Sequence, residues 1–473
     1  MAGDVRWTIT IEDLAKVTGG QILSQACREF SRVGTDTRQD LAGRLFIALK
    51  GDNFDAHDFL AKAVEGQAAA LLVHQWRDEW KPLLDKVSVV RVSDTLAGLQ
   101  ALARFWRKKR AFKIFAITGS NGKTSTKEFA YSLFKDHFPV FAAKGSYNNH
   151  WGVPLTILEA GPEHTHLLLE MGMNRSGELW RLCQIAEPDV VVVTTVGRAH
   201  IGELGSQEAV AQAKEEVYLA AAGALHVFNG DNEWTMRMLA RSQSKKIVFS
   251  AFKPGVDVYL RAQRVTWEGL DIVGTIAGVN GGVFVKVFGR QNTVNLMAAA
   301  GLAVAAGIPG EKIWEGLARI QDTAWGRNQI LELENGARVL FDGYNANPDS
   351  MIALLKNLYE MEAAGRKFLI AGDMRELGAF AEKAHEEVGE RAGSVGFEAV
   401  WLVGQHARSF ARGLEKHSRP KLFITADADS KTSRAFYELL RKDDLVAVKA
   451  SRGVALERAF QDWPLKTPLG KKP

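Results

Sequence analysis

The sequence predicts an α/β protein of three domains: a small N-terminal α/β domain, a central doubly wound parallel-sheet domain with a short phosphate-binding loop, and a C-terminal Rossmann-like α/β domain. Three observations carry this expectation. The chain has 473 residues, and at about 150 residues per domain that length divides into roughly three units. Its composition, 46% hydrophobic and 24% charged, is that of an ordinary globular protein, with too few prolines and too many aromatics for disorder. From Lys113 onward, continuous Val, Ile and Leu runs alternate with helical stretches, the pattern of parallel strands buried on both faces.

Residues 1–92 open with an amphipathic stretch, IEDLAKVTGG, followed by the short apolar runs RLFIAL and AAALLV, which suit strands. Between Ser93 and Arg110, the spacing of Leu96, Leu99, Leu102 or Ala103, and Trp106 predicts a helix with one apolar face leading into residues 93–323. Its RKKR end reads as a solvated cluster complementing the helix dipole. Within 93–323, KIFAIT, HLLLEMG, DVVVVTTV and ALHVFNG read as strands between helices. Asp257 to Phe288 breaks that rhythm with alternating residues and a Gly-rich turn at GVNGG, predicting a small antiparallel insertion that closes the central domain. After NTVNLMAAAGLAVAAG and EKIWEGLARI, a third series fills 324–473: ARVLFDG, RKFLIAGD, FEAVWLVG, KLFITAD and DLVAVKAS, each expected to be followed by a helix.

Charge and cysteines bound the function. A net charge of +5 spread over the whole chain gives no dense cationic surface, so nucleic acid is not an expected partner. Cys27 and Cys183 fit neither a disulfide framework nor a metal pair. The N-terminus lacks a signal sequence and no stretch approaches a membrane span, so a cytoplasmic location is expected. The tryptophans read as core, and His164 with His166 makes no convincing zinc pair.

The strongest local signal is Gly119, Ser120, Asn121, Gly122, Lys123 and Thr124, directly between the strand KIFAIT and a helix. Glycines let backbone N–H groups turn toward an anion, the helix N-terminus adds about half a positive charge, Lys123 reaches terminal phosphates, and the Thr124 hydroxyl can hold Mg²⁺. The longer G-x-x-x-x-G-K-[ST] form is not met, because Ile117 stands where its first glycine would fall. Glu170, His200 and Asp342 each close or follow an apolar strand, and in open α/β sheets ligands bind at the carboxyl ends of strands. Oxygen ligands and an imidazole beside a triphosphate point to Mg²⁺ or Mn²⁺. Lys214, in AQAKEEVY, reads from spacing alone as a solvated helix residue near Glu215 or Glu216.

With these motifs the chain resembles the Mur ligases, the ATP-dependent amide-forming family of peptidoglycan synthesis. The family's short phosphate loop, TG-x-x-GK[TS], is Thr118 to Thr124 here. Further resembling stretches are TDTR, LFIALKGDNFDAHDF, YNNHWGVPLTIL, LLEMGMNRSGEL, VGRAHIGELGSQEAVAQAKEEV, FDGYNANPDSM, AGDMRELG and VKASRG, which together run from Thr35 to Gly453. Within the family they resemble the branch that joins D-alanyl-D-alanine to UDP-N-acetylmuramoyl-tripeptide. The D-N-P-R signature of the preceding, diamino-acid-adding branch is absent.

The resemblance implies ATP as the nucleotide, two Mg²⁺ ions, and small-molecule substrates joined through an acyl phosphate; a monomer is expected. It implies that Lys123 and Thr124 bind phosphates and metal, that Glu170 and His200 ligate metal, and that Lys214 is carbamylated and so becomes an oxygen ligand. Asn292 and Asn295 match the adenine segment, Arg327 the phosphate arginine and Asp342 the ribose acid. Thr35, Asp36, Thr37 and Arg38 would hold the UDP-sugar, while Asn148, Asn149, Tyr344, Asn345 and Asn347 fall in its substrate motifs. By the same resemblance residues 1–92 bind the UDP-substrate, 93–323 bind ATP, and 324–473 bind the dipeptide and close on ATP. Two positions depart from the pattern: Gln291 where the family usually has His, and Gly343 where it usually has Ser.

Overall fold

The structure is a computed structural model that describes residues 8–51, 53–143, 145–321, 324–361, 364–466 and 469. Its first helix is Ile11–Thr18. Thr10 caps its start by accepting from Asp13 N, and Gly19, at φ 64°, ends it in the left-handed conformation with its N–H on Ala15 O. Strands β1 (Ile9–Thr10) and β3 (Glu29–Phe30) pair antiparallel. Around them β2 (Gln21–Ser24), β4 (Val33–Gly34), β5 (Leu45–Ile47), β6 (Ala70–Val73) and β7 (Ser88–Arg91) form a sheet ordered β2-β7-β6-β5-β4, antiparallel only at β2.

Helix Thr95–Arg110 turns Leu99, Leu102, Ala103 and Trp106 inward. One apolar cluster runs through it without a break, from Leu45, Leu72 and Val90 of the first sheet to Ile114, Leu167 and Val191 of the next. Burying an aliphatic side chain contributes about 1.5–3 kcal/mol, so this shared core sets the first sheet on the second. The RKKR end is not simply solvated. Arg107 donates to the carbonyls of Ala186 and Glu187 and to Asp189, and Arg110 donates to Pro162 O at 2.6 Å. These cations clamp the helix to the central sheet, because the carbonyls ending helix Glu178–Ala186 lie opposite them.

The central sheet comprises β8 (Lys113–Thr118), β9 (Val140–Ala142), β10 (His166–Glu170), β11 (Val190–Val193), β12 (Leu225–Asn229), β13 (Lys246–Ser250), β14 (Val258–Val265), β15 (Leu270–Ile276) and β16 (Val279–Val285), in the order β16-β15-β14-β13-β12-β11-β8-β10-β9. Separate apolar clusters cover its two faces. The chain passes from β8 to one side and returns to the other at β11, so a crevice opens where the strand order reverses, at the carboxyl ends of β8, β10 and β11. The segment from Asp257 is not an insertion beside this sheet. β14 pairs parallel with β13, and β15 and β16 extend the same sheet antiparallel. Their turn is Ala277–Gly278, both at positive φ, as a two-residue hairpin requires. The glycines of GVNGG lie mostly within β16, where a Cβ on Gly281 would meet the Trp314 ring at 2.5 Å.

The C-terminal sheet contains β17 (Gln329–Glu332), β18 (Arg338–Asp342), β19 (Lys367–Gly372), β20 (Ala399–Val403), β21 (Lys421–Thr425) and β22 (Leu445–Lys449), ordered β17-β18-β22-β19-β20-β21 and parallel except at β17. Two 3-10 turns, not an α-helix, follow β22. The parallel register of β18 and β22 sets Asp342 directly beside Lys449 at the carboxyl edge. No helix among the described residues is long and apolar enough to cross a membrane.

Candidate active site

The loop after β8 is built by close approach. Gly119 has φ 146° and Gly122 φ 85°; a Cβ on the first would meet Thr194 Oγ1 at 2.0 Å and on the second Asn295 Oδ1 at 2.0 Å. Glycine is therefore required at both positions, for backbone angle and for space. Ser120 N donates to Thr195 O at 2.8 Å and Asn121 N to Thr195 Oγ1 at 3.3 Å, which ties the loop to the segment after β11. Helix Lys123–Phe134 begins at the loop, so its free N–H groups and positive dipole end point into the crevice.

Lys123 Nζ curls back to Gly119 O at 2.8 Å. Burial lowers its pKa, opposed by the Glu170 carboxylate and reinforced by Arg327. Thr124 Oγ1 donates to Glu170 Oε2 at 2.9 Å and lies 3.2 Å from Ser146 Oγ, and Asn148 Nδ2 donates to Glu170 Oε1 at 2.7 Å. A hydroxyl, a second hydroxyl and a buried carboxylate within hydrogen-bond reach form an oxygen donor set that fits a hard divalent cation. His200, at φ 63°, stands on the loop after β11. Its Nδ1 is 2.8 Å from Glu376 Oε2. The His200 side chain holds the Glu376 carboxyl below the usual carboxylate range, against the effect of burial.

Lys214 overturns its reading from spacing. On helix Gln207–Ala220 it is buried, 1% exposed, because that helix turns its Lys214 face onto the sheet. Among the described residues no carboxylate lies within ion-pairing distance of its amine. Burial, with Lys123 adding to it, pushes its pKa well below the ordinary lysine value, a shift toward the neutral amine.

Across the crevice, Arg327 lies over the Tyr344 ring, 4.4 Å from its centroid, with NH2 3.4 Å from Thr124 Oγ1. Asp342 is paired with Lys449, whose Nζ also donates to Asn345 O at 2.9 Å, and it accepts from Asn328 N at 3.3 Å. Asn295 donates to Asn292 Oδ1 at 2.8 Å and Asn292 to Phe288 O at 2.7 Å. Asn347 caps helix Pro348–Glu360 and exchanges amide contacts with Asn121 of the phosphate loop, the shorter at 2.7 Å. Asn149 is likewise occupied, accepting from Trp151 N and Gly152 N.

A cavity of about 400 Å³ joins these pieces: the phosphate loop, Asn292, Asn295, Arg327, Asp342, Asn345 and Asn347 line it. A second, of about 720 Å³, is lined by Lys123, Asn148, Asn149, Glu170, His200, Arg327, Tyr344, Asn345 and Glu376. Lys123, Arg327 and Asn345 line both, so the two cavities meet at the start of helix Lys123–Phe134. Thr35, Asp36, Thr37 and Arg38 are not in either. They line a third cavity of about 700 Å³ with Phe46, Leu49, Phe54, Phe59 and Trp151. There Arg38 holds Asp36 at 2.6 Å, lowering its carboxyl pKa. Trp151 thus lines a cavity and is not simply core.

Glu376, Ser146 and Lys449 were not singled out in the sequence. Glu376 and Lys449 sit inside quoted motifs, AGDMRELG and VKASRG, just after or at the end of apolar strands, and that strand-end rule was the signal available. The departures have local causes. Gln291 accepts from Asn357 Nδ2 at 2.6 Å and faces Asn328 Oδ1 at 3.4 Å, joining the two sides of the nucleotide-sized cavity. A Cβ on Gly343 would meet the Phe341 ring at 2.3 Å, so serine does not fit there while Phe341 keeps its place.

Comparison with known proteins agrees with this geometry. The model of the Mur ligase middle domain matches residues 117–303 and that of the Mur ligase glutamate ligase domain residues 326–452. The UDP-N-acetylmuramoyl-tripeptide–D-alanyl-D-alanine ligase of Bacillus subtilis (strain 168) is 32% identical, covering 97% of this chain and 99% of the relative. The Escherichia coli (strain K12) ligase of the same name is 33% identical over 96% and 99%. Among solved structures, MurF from Acinetobacter baumannii superposes with a TM-score of 0.86 at 26% identity, covering 97% of this chain and 99% of that one. MurF ligase from Thermotoga maritima in complex with ADP superposes at 0.79 and 27% identity, covering 91% and 96%.

Proposed function

The chain belongs to the Mur ligase family, and from that premise we propose that it joins D-alanyl-D-alanine to the C-terminal carboxylate of UDP-N-acetylmuramoyl-tripeptide, with ATP going to ADP and phosphate, in peptidoglycan precursor synthesis. The observation that carries this reading is the meeting of two cavities at Lys123 and Arg327. One is a nucleotide-sized pocket ending in a phosphate loop. The other opens from the same two cations and has room for an acyl substrate.

A carboxylate is a poor acyl donor, so it must first be activated. Its oxygen attacks the γ-phosphorus, the bond to the bridging oxygen breaks, and ADP leaves. The dipeptide amine then attacks the carbonyl carbon of the acyl phosphate, the C–O bond to phosphate breaks with its electron pair, and the amine loses a proton. Lys123, Arg327 and the backbone N–H groups of Gly119 to Thr124 neutralise charge on the transferring phosphoryl group, a preorganised electrostatic contribution. Thr124, Glu170, His200 and a carbamylated Lys214 would hold two Mg²⁺ ions. Bound there, the ions would offset phosphate charge and orient the reacting oxygens. Carbamylation needs a neutral amine, which the burial of Lys214 supports. Asn292 and Asn295 would face adenine and Asp342, oriented by Lys449, the ribose.

The aromatic-lined cavity around Thr35 to Arg38 would take the UDP moiety. Residues 324–473 would bring Arg327, Tyr344 and Asn345 to the acceptor dipeptide when they close on residues 93–323. A test is ADP release with UDP-muramoyl-tripeptide, crossed against D-alanyl-D-alanine and single D-amino acids. Release that requires both tripeptide and dipeptide is expected. ATP turnover indifferent to either would make the protein a phosphate-loop NTPase and sink the reading.

A further inference from the structure

The loop that carries His200 is gripped by the C-terminal domain at two places. Beyond His200, Gly202 N donates to Glu376 O at 3.1 Å. Before it, Arg198 N and Nε donate to the Asp349 carboxylate at 2.6 and 2.9 Å, and Arg198 NH1 donates to Glu387 Oε2 at 2.7 Å. Asp349 stands in the first turn of helix Pro348–Glu360 and Glu387 in helix Ala381–Gly393. One arginine of the central domain therefore joins two helices of the C-terminal domain. Its neighbour Gly197 donates to Ser120 Oγ of the phosphate loop at 2.9 Å, and a Cβ there would meet Asp349 Oδ2 at 2.3 Å.

Arg198 thus lies between the phosphate loop on one side and His200 on the other. His200 has a left-handed backbone, which persists only where the surroundings over-determine it. Here the surroundings include partners from a different domain. Charge-assisted bonds to two carboxylates, with the side chains part-buried, are strong enough to favour one arrangement of the loop.

We infer that Arg198 is a positioning residue, whose clamp on Asp349 and Glu387 makes closure of the C-terminal domain and the setting of His200 beside the phosphate loop a single event. This rests on the ligase reading above. Without the clamp the domains still bind their separate ligands, but the assembled site is a minority state and turnover falls by the fraction lost.

The test uses the full-length wild type, Arg198→Ala, Arg198→Lys, Glu387→Gln and the Arg198→Ala/Glu387→Gln pair. Steady-state kinetics give kcat and both KM values, and small-angle scattering gives the radius of gyration with and without a non-hydrolysable ATP analogue plus UDP-tripeptide. The expected kcat of Arg198→Ala is about tenfold lower, with KM for UDP-tripeptide unchanged and less compaction by ligands, while Arg198→Lys recovers most of both. Glu387→Gln should have a smaller effect that vanishes in the Arg198→Ala background, because both act through one contact. Unchanged kcat with normal compaction in Arg198→Ala overturns the clamp, as do effects that simply add. If the wild type shows no ligation, the ligase reading fails instead, and the compaction comparison still decides the clamp.

Discussion

Lys214 allows stability and activity to be separated. Its amine is buried with no carboxylate in pairing range among the described residues, and burial sets its pKa well below the ordinary value. Each pKa unit of that depression costs the fold about 1.4 kcal/mol. The cost is present at any pH below the folded value and disappears above the unfolded lysine value, about 10.4. Between the two, the unfolded chain holds the extra proton, so stability rises with pH. Lys214→Met conserves length and removes the cost. In CO₂-free buffer at pH 7.5 it should be more stable than the wild type, with a higher melting temperature. The gap should close as pH approaches about 10.4. Ligation should nevertheless fall by on the order of 10²-fold or more, as for loss of one preorganised electrostatic group. In Lys214→Ala, acetate should restore part of it by occupying the vacated space as an oxygen ligand. Melts followed by circular dichroism and initial rates with and without bicarbonate decide it. A Lys214→Met enzyme that is less stable and fully active would refute both the burial argument and the carbamate.

Other sites give independent outcomes. Lys123→Ala should abolish ligation while calorimetry finds UDP-tripeptide affinity nearly intact, since Thr35 to Arg38 line a different cavity; equal losses would contradict the division of labour. Gly122→Ala should weaken binding of a fluorescent ATP analogue at least tenfold and cost about 1–3 kcal/mol of stability, because it combines φ 85° with a 2.0 Å approach to Asn295. His166 is stacked 4.0 Å from Phe138, its pKa depressed to about 4 chiefly by burial. It stays neutral while the unfolded histidine takes a proton below about pH 6.5. Stability should therefore fall as pH drops from 6.5 to 4, by up to about 3 kcal/mol. His166→Phe should flatten that limb in pH-dependent melts, and an unchanged acid limb would contradict it.

What was legible in the sequence followed from local rules. A strand, two glycines and Lys-Thr at the start of a helix define the phosphate loop without any knowledge of distant residues, and Glu170 and Asp342 follow from the strand-end rule. Lys214 was misread because helical spacing says which residues share a face but not which face the sheet covers. Glu376, a few residues past the end of strand β19, carried only the strand-end signal, which does not name its partner. Its role depends on a contact with His200 across two domains, and no periodicity encodes that. The segment from Asp257 was read correctly as antiparallel in character, yet its attachment to β13 by parallel pairing is a long-range register with no local signature. The RKKR cluster failed in the same way, since its carbonyl partners at Pro162, Ala186 and Glu187 lie 52 to 80 residues along the chain.

The most direct test of the central claim follows the oxygen atoms. UDP-muramoyl-tripeptide carrying ¹⁸O in its C-terminal carboxylate is turned over with ATP and D-alanyl-D-alanine, and the phosphate is analysed by mass spectrometry or by its ³¹P shift. Activation through an acyl phosphate at the junction of the two cavities predicts one ¹⁸O delivered to each phosphate formed, and no transfer when the dipeptide is withheld. Phosphate free of label, with the ¹⁸O that leaves the carboxylate recovered in water, would contradict it.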